Sequence, residues 1–496
     1  MPDPPASARP AAPPRPRARE LDLLLALDRA APAPLRAQLE DAVRTAVADG
    51  RLAHGTALPS TRALAAELAV SRGVVVEAYA QLAADGVLEI RPGGATRVAR
   101  LPPPRPAAPV APAATPPAPD GAVVDLLPMS GDLVSFPRRA WARAVRRALD
   151  DVPAPGLSYG DLRGPEPARV VLAAYLGRSR GVLADAETTA FTAGVTEGLA
   201  VLARALAGRG VRRIAVEDPG FVPHRRTLQD AGLEPVPVPV DEDGLRTADL
   251  AAQDVGAVLV TPAHQSPTGR PLATPRRAEL VRWAADGGRL VIEDDYDGEF
   301  RYDRRAVGAL QALAPDHVAY AGSVSKTLAP ALRIGWLVAP RPLLDEATLL
   351  RGVATGGTPV LEPLALAALI DGGDYDRHLR ARRREYATRR TAVLDALERV
   401  IPDGEVLGID AGLAVCVRLD ATVEPGRLSA EAFARGVVVA ATASVVAGRP
   451  VTLLHLGFGR APLPALRRAV AEVGAVVDGL RPPGGRRGPA QRSAHL

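Results

Sequence analysis

Residues 102–119 (PPPRPAAPVAPAATPPAP) are almost entirely proline and alanine, with a single charge and no hydrophobic period. Proline fixes φ and offers no backbone donor, so this run suits neither a helix interior nor a central strand and is expected to be an extended, semi-rigid spacer. Whatever folds must fold on either side of it. With 496 residues there is length for two or three bodies. The expected division is a disordered N-terminus over 1–19, a small domain over 20–100, the Pro/Ala-rich linker over 101–122, a large domain over 123–480 with a small C-terminal subdomain from about 385, and a disordered basic tail over 481–496. The tail's arginines are able to touch nucleic acid, and a solvated end explains them as well.

Apolar residues make up 47% and charged residues 24% of the chain, so most of it is able to fold. Among 61 cationic side chains there is one lysine, Lys326, and the chain has no asparagine. Arginine replaces lysine readily on a surface, but a guanidinium forms no stable imine with an aldehyde. The surviving lysine is therefore a candidate for amine chemistry, with chance survival as the alternative. The one cysteine, Cys416, excludes an internal disulfide and suits a reducing compartment, and its apolar neighbours suggest a buried strand thiol. The run from Leu21 to Leu27, broken by Asp22, is too short for a signal-peptide core, and no apolar run approaches the roughly 18 residues of a spanning helix. A cytoplasmic protein without membrane contact is expected.

Residues 35–49 carry apolar side chains at helical spacing and stop at Gly50 and Gly55. Ser60 is placed to cap a second helix through Leu68, and Ser71 a third from Arg72 to Ala84. A hairpin follows, Val87–Ile90 returning as Thr96–Val98 around Arg91-Pro92-Gly93-Gly94. This order is that of a winged helix-turn-helix, an α+β unit whose last helix enters the major groove. The wording LPSTRALAAELAVSRGVVVEAYAQLAADGVLEIRPGGATRV closely resembles the N-terminal domain of the GntR family over its whole length. The resemblance implies contacts to double-stranded operator DNA from Arg62, Ser71 and Arg72, and from Gly93 at the tip of the wing. An arginine reaches phosphate or a guanine edge, and a serine at a helix start reaches phosphate. A solvated helix face stays open for each arginine, because residues 1–100 hold 13 Arg against 11 Asp and Glu. Gly73 and Val74 stand where Asn-Thr is common, and Glu77 where a basic residue often occurs, which leaves the base preference open.

Beyond the linker, short β-branched runs (257–261, 290–293, 335–339) alternate with helical stretches. That alternation predicts an α/β fold with a mostly parallel sheet and ligand groups at strand ends. Gly322-Ser323-Val324-Ser325-Lys326-Thr327, with Arg333 downstream, resembles the S-x-S-K and arginine of class I aminotransferases, which have the α/β PLP-dependent transferase fold type I with a small C-terminal α+β subdomain. The resemblance implies that Lys326 carries pyridoxal 5′-phosphate as an imine while Ser323, Ser325 and Arg333 bind its phosphate, a dianion that needs charge-assisted donors. Asp294 and Tyr296 match the residues that meet the pyridine nitrogen and the phenolic oxygen, and a protonated nitrogen makes the ring a better electron sink. Without Lys326 downstream, such an acidic cluster reads equally as a metal site or a solvated turn; no metal is expected here. Gly194, Val195 and Thr196 open a helix after a strand, where backbone N–H groups meet phosphate. Phe221 matches the aromatic ring that lies on the pyridine, with a core phenylalanine as the alternative. Tyr159 matches a tyrosine that reaches the phosphate of the neighbouring subunit, which implies a homodimer.

A GntR head, a proline-rich linker and an aminotransferase-like body together resemble the MocR subfamily of regulators, as does the phrase Thr261-Pro-Ala-His264-Gln265-Ser-Pro; the likeness runs from about Pro34 to Leu480. It implies a transcription factor whose effector is pyridoxal 5′-phosphate or its adduct with an amine, with vitamin B6 or amino-acid metabolism genes as targets. An active aminotransferase with an accessory DNA-binding head is the second reading, and a cofactor-free DNA-binding protein the third. Substrate handling separates them. Aminotransferases of this fold fork the substrate carboxylate with an arginine just before a segment like Leu456-Gly457-Phe458, where this chain has His455. A neutral histidine makes no bidentate pair. Arg225 or Arg226 could take its place, or His455 could simply fill a strand position.

Overall fold

The computed structural model describes residues 27–91, 94–100, 123–128, 131–302, 307–446 and 448–481. The chain divides into two compact units, Met1–Thr115 and Pro116–Leu496. The expected linker over 101–122, the N-terminus over 1–19, nearly all of the basic tail and Gly93 lie outside the described residues.

The small unit consists of α1 (Leu35–Ala48), α2 (Thr61–Glu67), α3 (Arg72–Ala84) and the strands β1 (Leu88–Glu89) and β2 (Arg97–Val98). Both serines cap as their positions predict: Ser60 accepts from the Ala63 N–H at 3.2 Å and Ser71 from the Val74 N–H at 3.4 Å. Leu39, Val43, Leu64, Val75 and Leu82 bury the inner faces of the three helices together. Tyr79 joins them and donates its hydroxyl to the Pro59 carbonyl at 3.1 Å, which ties α3 to the entry of α2. The strands pair antiparallel with Leu88 opposite Val98, completing the wing.

The large unit holds fourteen further strands among its described residues. In chain order they are β3 (Val124–Asp125), β4 (Thr189–Thr192), β5 (Arg213–Asp218), β6 (Glu234–Asp241), β7 (Gly244–Leu245), β8 (Ala257–Val260), β9 (Leu290–Asp294), β10 (Val318–Ser323), β11 (Gly335–Val338), β12 (Glu405–Leu407), β13 (Ala414–Asp420), β14 (Val437–Val438), β15 (Ala440–Val446) and β16 (Arg449–Gly457). The main sheet has the order β4-β11-β10-β9-β8-β5-β6-β7. Strands β10, β9, β8, β5 and β6 run parallel, and β11 and β7 run against their neighbours. Buried strands carry apolar runs such as Ala257–Val260 and Leu290–Ile292, as a sheet covered on both faces requires. Leu199, Leu202 and Leu206 of the helix Val195–Gly208 pack with Ile214, Ile292 and Leu337. Leu280 and Ala284 of the helix Thr274–Asp286 pack with Val258 and Val291.

A second sheet, β12-β13-β16-β15, is antiparallel. Its Val415, Val417, Leu454 and Leu456 pack with the helices Asp374–Val400 and Leu463–Leu480. Cys416, buried on β13, is the strand thiol its neighbours predict. Among the described residues no helix is long and apolar enough to cross a membrane.

Candidate functional site

From β5 the chain moves outward to β6, and β8 then returns to the other side of β5. Strand order therefore reverses between β5 and β8, the place where open α/β sheets bind ligands beyond the carboxyl ends of their strands. A pocket lies there, lined by Glu217, Phe221, His224, Arg225 and Thr261 among others. Asp294 ends β9, Ser323 ends β10, and Thr192 ends β4 directly opposite Gly335, so the predicted residues meet on one edge of the sheet.

Lys326 follows β10 in a turn. Burial pushes its pKa down, against the raising fields of Asp297 and Asp294. Asp294 is 5% exposed and has no hydrogen-bond partner on Oδ1 among the described residues. Burial, then the charges of Asp295 and Asp297, push its pKa up to about 8. Behind it stands His224, whose Nδ1 is 3.7 Å from Asp294 Oδ2 and whose pKa burial lowers to about 4. His224 was not among the predicted residues, although it lies one helical turn after Phe221. The two rings meet edge to face at 4.8 Å, and Phe221 is 42% exposed, which excludes the core-phenylalanine alternative.

After β4, Gly194 takes φ 109° before the helix Val195–Gly208. A Cβ there would stand 3.3 Å from Arg333 Nη2, so the guanidinium lies against the bare glycine. The first N–H groups of the helix have no intrahelical acceptors. Helix start, guanidinium and Ser323, whose Oγ accepts from the Ser325 N–H at 3.3 Å, form a cradle of anion-binding type.

Tyr296 Oη lies 3.1 Å from His264 Nδ1, and the same nitrogen lies 2.9 Å from Asp297 Oδ2. A carboxylate only accepts, so the histidine hydrogen belongs on Nδ1; the Tyr296 hydroxyl also bonds the Ser266 side chain. Glu217, buried, accepts from Thr261 Oγ1 at 2.6 Å and from Gln265 Nε2 at 3.2 Å, and burial pushes its pKa up to about 7. Neither Asp297 nor this Glu217 network was predicted; each joins segments far apart in sequence.

His455 sits in mid-strand on β16 between Cys416 and Ala440, 3.3 Å from Thr442 Oγ1, and burial lowers its pKa to about 4. Of the predicted substitutes, Arg225 lines the pocket and keeps its Nε without a partner among the described residues. Arg225 holds the Glu217 carbonyl at 3.0 Å and Asp218 at 2.8 Å, while Arg226 pairs with Asp230 on the surface. Tyr159 is 92% exposed and stands beside Gly356. In the small unit Arg62, Ser71 and Arg72 are all exposed at helix starts, although the Ser71 oxygen already caps α3.

The family model described as Aminotransferase class I and II matches residues 130–475, and the one described as Bacterial regulatory proteins, gntR family matches residues 35–98. The chain is 34% identical over 463 residues to the HTH-type pyridoxine biosynthesis transcriptional regulator PdxR of Corynebacterium glutamicum, covering 92% of this chain and 99% of that one. It is 34% identical over 436 residues to the probable rhizopine catabolism regulatory protein MocR of Rhizobium meliloti, covering 84% and 87%. A kynurenine aminotransferase structure from Pyrococcus horikoshii aligns with a TM-score of 0.65 over 73% of this chain and 92% of its own, at 22% identity, a likeness of fold.

Proposed function

We propose, from the premise that the chain belongs to the GntR-family helix-turn-helix regulators of MocR and PdxR type, whose large domain is an aminotransferase class I and II domain of the PLP-dependent fold type I, that this regulator senses pyridoxal 5′-phosphate or its amine adduct. The observation that carries this reading is the buried Asp294 Oδ1, without a hydrogen-bond partner among the described residues, on the same sheet edge as the chain's one lysine. A protonated pyridine nitrogen is the donor that oxygen lacks, and the Gly194–Arg333 cradle suits a phosphate.

When bound, pyridoxal phosphate supplies an aldehyde to an amine and a protonated ring that withdraws electrons. Lys326 offers the amine, and its burial enlarges the neutral, nucleophilic fraction. Asp294 holds the ring nitrogen, with His224 behind it. Gly194, Val195, Thr196, Ser323, Ser325 and Arg333 hold the phosphate, and Tyr296 donates to the phenolic oxygen. Phe221 covers one ring face.

Tyr159 reaches the phosphate in a partner subunit. The homodimer this requires is supported by Val353, 84% exposed, and Leu349, 59% exposed, on a helix whose end lies beside Tyr159. Arg62, Ser71, Arg72 and Gly93 contact operator DNA in the cytoplasm. The likeness to PdxR supports target genes in vitamin B6 supply.

Sensing is favoured over transamination by His455, a neutral side chain where a carboxylate fork needs a guanidinium, with Arg226 paired on the surface and Arg225 tied through Nη2 to Asp218 and the Glu217 carbonyl. Absorbance titration of the purified protein with pyridoxal phosphate tests the reading. The band of lysine-bound cofactor is expected in the wild type and absent in Lys326→Ala, with no multiple-turnover amine transfer from common amino acids. A wild type without the band contradicts cofactor binding, and sustained turnover contradicts a pure sensor.

A further inference from the structure

The helix Arg138–Asp151 of the large unit carries five exposed arginines, Arg138, Arg139, Arg143, Arg146 and Arg147, while Trp141, Ala144, Val145 and Ala148 pack inward. Helix stability does not call for this pattern. Arg138 and Arg139 stand in the first turn, where the macrodipole is already positive, and Asp150 and Asp151 stand in the last, where it is negative. Arg139 and Arg143, and Arg143 and Arg147, are like charges at i,i+4 spacing, which oppose one another. Among the described residues only Arg143 and Arg147 have a carboxylate within reach, Asp374 at 3.2 Å and Asp151 at 3.3 Å, and Arg377 shares that Asp374. These exposed pairs neutralise little. A cationic stripe therefore runs from residue 138 to 147, about 13 Å along the helix.

Duplex DNA carries about one negative charge per 1.7 Å of axis, so a stripe of this length faces several phosphates. A second copy of this chain would set like charge against like on the same face. The winged unit belongs to the same chain, so even a weak phosphate contact gains from tethering. We propose that the helix Arg138–Asp151 is a second DNA-contacting surface, binding duplex phosphates beside the site held by the winged unit without reading bases. This rests on the DNA-binding role of the winged unit.

The test uses the full-length protein, fluorescence anisotropy at several salt concentrations, and mixed-sequence duplexes of about two and about six helical turns. Replacing Arg139, Arg143 and Arg146 together by Gln is expected to lower the magnitude of the slope of log K against log salt on the long duplex by up to about 2.7, with little change on the short one. The corresponding triple Lys variant keeps the slope, as does a control with Gln at the exposed Arg204, Arg282 and Arg427. An unchanged slope in the triple Gln variant, or an equal fall in the control, overturns the proposal. So does a shift in oligomeric state by light scattering with DNA binding unchanged, which assigns the face to a second copy. A wild type that binds neither duplex removes the winged unit's DNA-binding role as well, an outcome distinct from intact binding with no effect of the arginines.

Discussion

Burial sets two carboxyls of the site, Glu217 and Asp294, against their ordinary chemistry: their pKa values rise to about 7 and about 8. A carboxyl with a raised native pKa binds its proton more tightly folded than unfolded. Its contribution to stability is therefore complete below the unfolded value near 4 and is lost as pH rises through the folded value. His224 and His455, both lowered to about 4, act in the opposite sense between about 4 and 6.5. From about pH 6.5 to 8 these carboxyls act together with Glu293 and Glu299, both raised by burial to about 7, against the opposite sense of the lowered Lys326 amine. Cofactor-free protein is thus expected to lose melting temperature across that window, and Asp294→Asn to lose less. Pyridoxal phosphate gives Asp294 a cationic partner and should flatten the slope. Melting curves with and without cofactor check this; cofactor-free stability that rises from pH 6.5 to 8 contradicts the burial argument.

At the scale of elements, the winged unit was legible because its signals are local. Ser60 and Ser71 each announce the helix that follows, and each side chain accepts from the N–H three residues on. Ser60→Ala and Ser71→Ala should each cost about 1 kcal/mol of small-unit stability. Only Ser71→Ala should also weaken DNA binding, since only Ser71 opens the recognition helix. Thermal melts with anisotropy on one duplex separate the two effects, and equal DNA losses in both variants would show that Ser71 acts through the cap alone. In the large unit, Lys326, Asp294 and Gly194 were legible because each stands in a short motif at a strand end. His264, Asp297 and Tyr296 illustrate the limit. Their motifs were visible separately, but the shared Nδ1 depends on the loops after β8 and β9 folding over neighbouring strands. His455 shows the same limit, because its mid-strand place between Cys416 and Ala440 is fixed by pairing that no local pattern encodes.

Across the whole molecule, a DNA-binding unit and a cofactor-type site lie in separate compact bodies of one chain. Any coupling between them requires that the ligand bind two arrangements of the protein with different affinity, and the effect on DNA must equal, in free energy, the effect of DNA on the ligand. Lys326 is the residue through which that coupling is expected to pass. Footprinting of the full-length protein on the DNA upstream of its own coding region, with and without pyridoxal phosphate, measures it most directly. In the wild type the cofactor should change the affinity or extent of the footprint, and in Lys326→Ala the footprint should persist without responding. A wild-type footprint that is the same in both conditions, in protein shown by absorbance to carry the cofactor, would contradict a cofactor-sensing regulator.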